Sequence, residues 1–217
     1  MQFLYDLVLY ITIVVVGLLP IANPFSTAPV FLAVTSKLDP NSRRRLLKLT
    51  CIYMFSTLLI FLLAGALILS FFGISVHGLR IAGGLILTVL GFRMLFPSST
   101  ADSEQEDVRT FEQARGLAFT PLAMPMLSGP GSIAVIISMA AQISENESFL
   151  ARLAGYAVVG IGILITVVIC WLVLRSSTKI TKFLGPTGID AMTRIMGFII
   201  ICIGVEFAVS GIKGFIQ

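Results

Sequence analysis

LLPIANPFSTAPVFLAV fills positions 18–34. It is mostly apolar, yet Pro20, Asn23, Pro24, Ser26, Thr27 and Pro29 lie inside it. Proline removes an amide donor and clashes with the carbonyl four residues earlier. It also pushes the residue before it out of the helical region. The apolar stretch around this cluster, from about residue 3 to 35, is long. As one continuous helix it would reach about 50 Å, against the ~30 Å of a bilayer core. Two half-helices meeting near Asn23 fit better than one tilted rod.

The rest of the chain gives that break its setting. Of 217 residues, 57% are hydrophobic and 12% charged. Soluble domains carry about 25% charged residues, so this composition means a membrane protein. Further apolar segments run from about 47 to 72, 78 to 96, 116 to 141, 151 to 174 and 191 to 212. The N-terminal MQFLYDLVLY has no Lys or Arg, so it lacks the basic start of a cleaved signal and is expected to be retained. Between the third and fourth segments, PSSTADSEQEDVRTFEQARG is polar and acidic. It divides the chain into 1–97, a linker at 98–115, and 116–217.

With six crossings, Lys37, Arg43, Arg44, Arg45, Lys48, Arg93, Arg109, Arg115, Arg175, Lys179, Lys182 and Arg194 share one side, and Arg80, Arg152 and Lys213 the other. That imbalance puts the first set in the cytoplasm and both termini in the periplasm. The net charge of +4 therefore reads as a topology signal, and no nucleic-acid partner is expected.

The two halves echo each other. NPFSTA at 23–28 lies on GPGSIA at 129–134, pairing Pro24 with Pro130 and Ser26 with Ser132. RIAGGLI at 80–86 lies on RIMGFII at 194–200, pairing Arg80 with Arg194 and Gly83 with Gly197. Three crossings per half make the second half enter from the opposite side, which is the inverted repeat of many secondary transporters. The expected fold is an all-α membrane protein with six transmembrane helices in two inverted three-helix repeats. Helices 1 and 4 are broken at mid-membrane.

A helix that restarts inside the membrane exposes its first amides, a favourable place for an anion such as a carboxylate. Asn23, Pro24, Phe25, Ser26 and Thr27 form the first candidate element; Ser128, Gly129, Pro130, Gly131 and Ser132 form the second. The second half-helix of the latter is expected to start near Gly131 or Ser132. Amides, carbonyls and hydroxyls with few charges suit a small zwitterionic solute. Glu206, in CIGVEFAVSG, is the other anomaly, since a carboxylate at a helix centre costs about 3 kcal/mol. It should pair, face a cavity or bind a proton, making it a candidate coupling residue. Asp190 reads as an inner-surface helix cap and His77 as a loop residue near the membrane surface. Cys51, Cys170 and Cys202 read as small buried side chains, without metal-site spacing or a disulfide framework. Small residues in AGALILS and AGYAVVGIG suit close helix packing. Gly160 and Gly162 are followed by Ile165 where a dinucleotide fingerprint needs glycine. No catalytic, metal or nucleotide motif stands out, so neither an enzyme nor a resident cofactor is expected.

Taken together, LPIANPFST, GLRIAGGLI, GFRMLFPS, PLAMPMLSGPGSIAVIIS and RIMGFIIICIGVEF resemble the MarC family of bacterial membrane proteins over essentially the whole chain. The resemblance implies six membrane helices in the inner membrane, and it speaks against a direct role in drug resistance despite the family's name. Archaeal relatives are described as transporters of glycine or alanine. Carried over, their site falls on Asn23–Thr27 and Ser128–Ser132. Relatives carry TAGPG-like versions of the second motif, whereas this chain has Leu127 and Ser128 before Gly129. The leading expectation is a secondary transporter of a small neutral amino acid, with coupling to protons or sodium left open. The alternatives are an exporter of drugs or another metabolite, and a membrane structural protein that moves nothing. Transport direction and assembly into a homo-oligomer stay open.

Overall fold

The computed structural model describes residues 2–96, 111–144 and 148–216. The regular elements among them are helical. In chain order they are α1 (Gln2–Ala22), α2 (Pro24–Val34), α3 (Pro40–Phe72), α4 (Val76–Leu95), α5 (Phe111–Leu117), a π-helical stretch (Ala118–Leu127), α6 (Pro130–Ser144), α7 (Phe149–Arg175) and α8 (Ser177–Ile216). Most of the acidic linker placed at 98–115 lies outside the described residues.

Local chemistry explains the boundaries. Asp39 caps α3 by accepting from the amides of Asn41 and Ser42, and Pro40 takes the first helical position. Proline suits that position because its missing donor has no partner there anyway. Gly73 ends α3 with φ 64, a left-handed conformation that glycine adopts without cost. The sequence placed this segment at 47–72. The helix starts a full two turns earlier because its arginine-rich first turns have only to leave the membrane, not to stop being helical. Ser75 caps α4 by accepting from Gly78. α8 also begins well before the expected residue 191. It contains a sharp turn at Gly185 (φ 65, ψ 178), followed by Pro186. Asp190 therefore lies inside a helix and does not cap one. His77 is likewise helical, with its ring 5.5 Å from that of Phe215.

Helices α3, α4, α7 and α8 are each long and apolar enough to cross a membrane; α1 and α2 together make a further candidate, bent by 47°. Helix α6 is apolar but shorter. Exposed Ile60, Leu63 and Leu67 on α3, and Leu164, Val168 and Leu172 on α7, form outward apolar faces. Lipid covers such faces, so they carry no hydrophobic penalty in the membrane. The buried core joins Leu18 and Ile21 of α1, Met54 and Leu58 of α3, Leu87 of α4, Ile136 of α6 and Ile163 of α7.

Glycine decides how closely the helices approach. A Cβ on Gly84 would stand 2.5 Å from the Gly204 carbonyl, and one on Gly204 2.7 Å from the Gly84 carbonyl. Gly91 and Gly197 repeat this arrangement, and Gly211 lies on the His77 carbonyl. Residue numbers rise on one helix as they fall on the other, so α4 and α8 are antiparallel with their backbones in contact. Without a hydrophobic drive between helices in lipid, such close van der Waals packing is the main source of cohesion. Gly65 against Ile137 and Gly162 against Val14 pack α3 on α6 and α7 on α1 in the same way. Cys51 and Cys170 are buried as expected, whereas Cys202 is exposed. It sits on the face of α8 opposite the glycines, where packing gives no cover.

Candidate functional site: two interrupted helices

The first interruption is a single residue. Asn23 has φ 35 and ψ 68, the left-handed region. Pro24 disfavours the right-handed conformation at the preceding residue, and asparagine is among the few non-glycine residues that tolerate the left-handed one. The Asn23 amide still closes the last turn of α1 by donating to the Leu19 carbonyl at 3.0 Å. Its side-chain oxygen accepts from the Ser26 amide at 3.3 Å, so Asn23 also caps α2. The Thr27 hydroxyl donates to the Asn23 carbonyl at 3.2 Å. Among the described residues, two hydrogen bonds leave the break: the Asn23 amide group to Met94 Sδ of α4 at 3.9 Å, and Ser26 Oγ to Thr193 Oγ1 of α8 at 3.1 Å. Asn23, Pro24 and Thr27 are buried, and Phe25 and Ser26 are half-buried.

The second interruption is longer. Within the π-helical stretch Thr120 (φ −122, ψ 121) and Met124 (φ −128, ψ 124) are extended. Each precedes a proline in the sequence, Pro121 and Pro125. The chain then leaves the helix at Ser128 and restarts at Pro130. Ser128 returns both its amide (2.8 Å) and its hydroxyl (2.9 Å) to the Ala123 carbonyl. Ser132 Oγ donates to the Leu127 carbonyl at 3.5 Å. Ser128, Gly129, Gly131 and Ser132 are buried, and Pro130 is exposed. The half-helix begins one or two residues earlier than expected, because proline is well placed at a first helical position.

The two breaks are neighbours. A Cβ on Gly131 would meet Leu87 Cδ2 at 2.5 Å and Ile21 Cγ2 at 3.2 Å, so the last turn of α1 lies against the first turn of α6. Asn23, two residues beyond Ile21, meets α4 at Met94. Among the described residues, no hydrogen bond joins Asn23–Thr27 to Ser128–Ser132. Ile21, from the last turn before the first break, lies against Gly131 at the start of α6.

Glu206 is exposed on α8, and among the described residues no hydrogen bond or ion pair holds it. Gly204, two positions before it, faces α4, so the helical period turns Glu206 outward. Sequence reasoning missed Met94 and Thr193, which carry no signal apart from their place in the fold. It also took Arg80 only as a marker of sidedness and repeat. Half-buried Arg80 donates from Nε to Ser138 Oγ of α6 at 3.0 Å and from Nη1 to Ser210 Oγ of α8 at 3.4 Å. A cation inside an apolar run was the available sign that it needs polar partners. Among the described residues, no group of three or more His, Cys, Asp or Glu could hold a metal ion.

Several spanning-length apolar helices, packed through glycine contacts and interrupted inside apolar sequence, define a multi-pass integral membrane protein. The chain belongs to the MarC family: the profile for "MarC family integral membrane protein" matches residues 8–216. It is similar to the inner membrane protein MarC of Escherichia coli (strain K12), at 40% identity covering 98% of each chain. The same figures hold for inner membrane protein MarC of Shigella flexneri and of Shigella boydii serotype 4. No solved structure matches. Family and fold together make this a multi-pass protein of the bacterial inner membrane.

Proposed function

We propose that the chain is a secondary transporter that carries a small neutral amino acid, such as glycine or alanine, across the inner membrane. The observation that carries this reading is the pair of helix restarts, at Pro24 and Pro130, each beside buried hydroxyls and each inside apolar sequence. First-turn amides lack partners within their own helix and favour a carboxylate. Asn23, Ser26 and Ser128, with nearby carbonyls, would receive the ammonium group. The small, buried surroundings disfavour a bulky drug.

Six crossings in two inverted halves give this reading its motion. A 47° bend leaves α1 and α2 running in broadly the same direction. It supports a broken span over a hairpin returning to its own side. The short α6 would complete a second broken span with the stretch before it. The third helices of the two halves, α4 and α8, pack antiparallel, as an inverted pair should. Both termini would then be periplasmic. Transport would rock one half against the other, opening the region of the two breaks to each side in turn, driven by a proton or sodium gradient.

Counterflow of radiolabelled glycine and alanine in proteoliposomes tests this. Saturable exchange is expected, reduced about tenfold or more in Asn23→Gly, in line with loss of a hydrogen bond to a charged ligand. Glycine keeps the left-handed backbone, so this variant should elute as the parent does. Absence of exchange of either amino acid by monodisperse protein would sink the proposal.

A further inference from the structure

Away from the two breaks, the end of α2, the start of α3 and the end of α7 enclose a cavity of about 600 Å³. Arg43, Arg44, Lys48 and Arg175 line it together with the aromatic rings of Phe31 and Trp171. None of its described lining residues is acidic. Asp39 stands nearby in sequence, but its carboxylate is engaged as the cap of α3. Among the described residues, none of the four cations has a carboxylate partner. Arg43 is held by neutral groups: its Nη2 donates to Ser177 Oγ and Thr178 Oγ1, each at 3.1 Å, and its guanidinium lies 5.5 Å from the Phe31 ring centre. Arg175 lies 4.8 Å over Trp171. Two guanidiniums are thus fixed in place without being neutralised, beside two more exposed cations. Like charges gathered in one concavity repel, and an anion there relieves the repulsion.

The surroundings say which anion. A tryptophan beside an arginine at the end of a spanning helix marks the membrane interface. Below Arg175, exposed Leu172, Val168 and Leu164 continue down α7 at helical spacing. That stripe offers acyl chains a path away from the cations. We infer that this cavity binds the phosphate headgroup of an anionic phospholipid from the cytoplasmic leaflet. Arginine forks suit phosphate oxygens, and basic pockets between membrane helices suit such headgroups. The site is independent of any transported solute.

Native mass spectrometry of the purified full chain, exchanged into mixed micelles with phosphatidylglycerol or phosphatidylcholine, tests the inference. Parallel thermal-shift titrations use phosphatidylglycerol and inorganic phosphate. The parent should retain phosphatidylglycerol selectively and be stabilised by it, but not by inorganic phosphate at equal concentration. Arg43→Gln with Arg175→Gln should weaken retention by about fivefold per arginine. If that pair does not fold, Arg44→Gln with Lys48→Gln, both exposed, should show the same loss. Arg93→Gln with Arg194→Gln removes two exposed arginines outside the cavity and should leave retention unchanged. Equal loss in this control would reduce the effect to general surface charge and overturn the site. Equal stabilisation by inorganic phosphate would overturn the lipid as ligand, and undiminished retention in the cavity variants would overturn both.

Discussion

The break at Asn23 and the break at Ser128, which the proposed repeat would pair, are built differently. The first is one left-handed residue that closes the helix behind it and caps the helix ahead. The second is a run of displaced backbone that holds two extended residues, Thr120 and Met124, and in which Ser128 saturates the Ala123 carbonyl with two donors. The first reaches outward, to Met94 and Thr193. The hydroxyls of the second turn back on their own segment. A compact hinge hydrogen-bonded to α4 and α8 thus contrasts with a seat whose hydroxyls bond only within their own segment while Gly131 packs on Leu87 and Ile21. A third prolyl helix start, Asp39–Pro40, has an exposed cap and serves as a reference for both.

The largest effect should come from forcing the hinge. Asn23→Leu loses a cap worth about 1 kcal/mol and places a branched residue in the left-handed region at roughly 1–2 kcal/mol more. Asn23→Gly should cost only a few tenths of a kcal/mol. Thermal unfolding in detergent should separate the two; equal stability would mean that the left-handed geometry carries no constraint.

The seat should respond less. Gly131→Ala brings a methyl against the end of the buried Leu87 side chain, which must repack at about 1–3 kcal/mol. Adding Leu87→Val should recover part of the lost thermal stability. Lack of recovery would show that the first turn of α6 is not seated there.

A smaller effect tests the outward reach of the hinge. Ser26→Ala and Thr193→Val each remove a hydrogen bond worth about 0.5–1.5 kcal/mol. A double-mutant cycle on unfolding should show coupling between them, whereas Ser26 and Ser128 should be additive. Coupling of the second pair would erase the distinction between hinge and seat.

The smallest effect is the pH response of the reference cap. Hydrogen bonds from Ser42, side chain first and then backbone, hold the Asp39 carboxyl below its ordinary value of 3.8. A lowered folded-state value means the stabilisation is present above about 3.8 and fades as pH falls through the folded value. Asp39→Asn can still cap, so it should keep α3 intact while removing this contribution to acid sensitivity. An unchanged acid unfolding profile would deny Asp39 the role.

Much of this was legible because it is local. Asn23–Pro24 fixes a break through the sterics of one peptide unit, and Ser128-Gly129-Pro130 does so through the same rules. The membrane class follows from composition, and the family from motifs spread along the chain. Boundaries at charged ends were less legible: arginines at the start of α3 and residues 177–190 before the last span leave the apolar pattern but stay helical.

Tertiary structure alone decided which groups meet. Ser26 has no sequence signal for Thr193, nor Asn23 for Met94, because such contacts depend on the register of helices far apart in the chain. That register is set by Gly84, Gly91, Gly197 and Gly204, whose missing side chains let α4 and α8 touch. The same register turns Glu206 outward and leaves Arg80 of α4 within reach of Ser210 of α8. The sequence by itself determined where this chain must break and that it belongs in a membrane. Close packing determined that the end of α1 lies against the start of α6, a consequence of long-range volume exclusion that no local pattern contains.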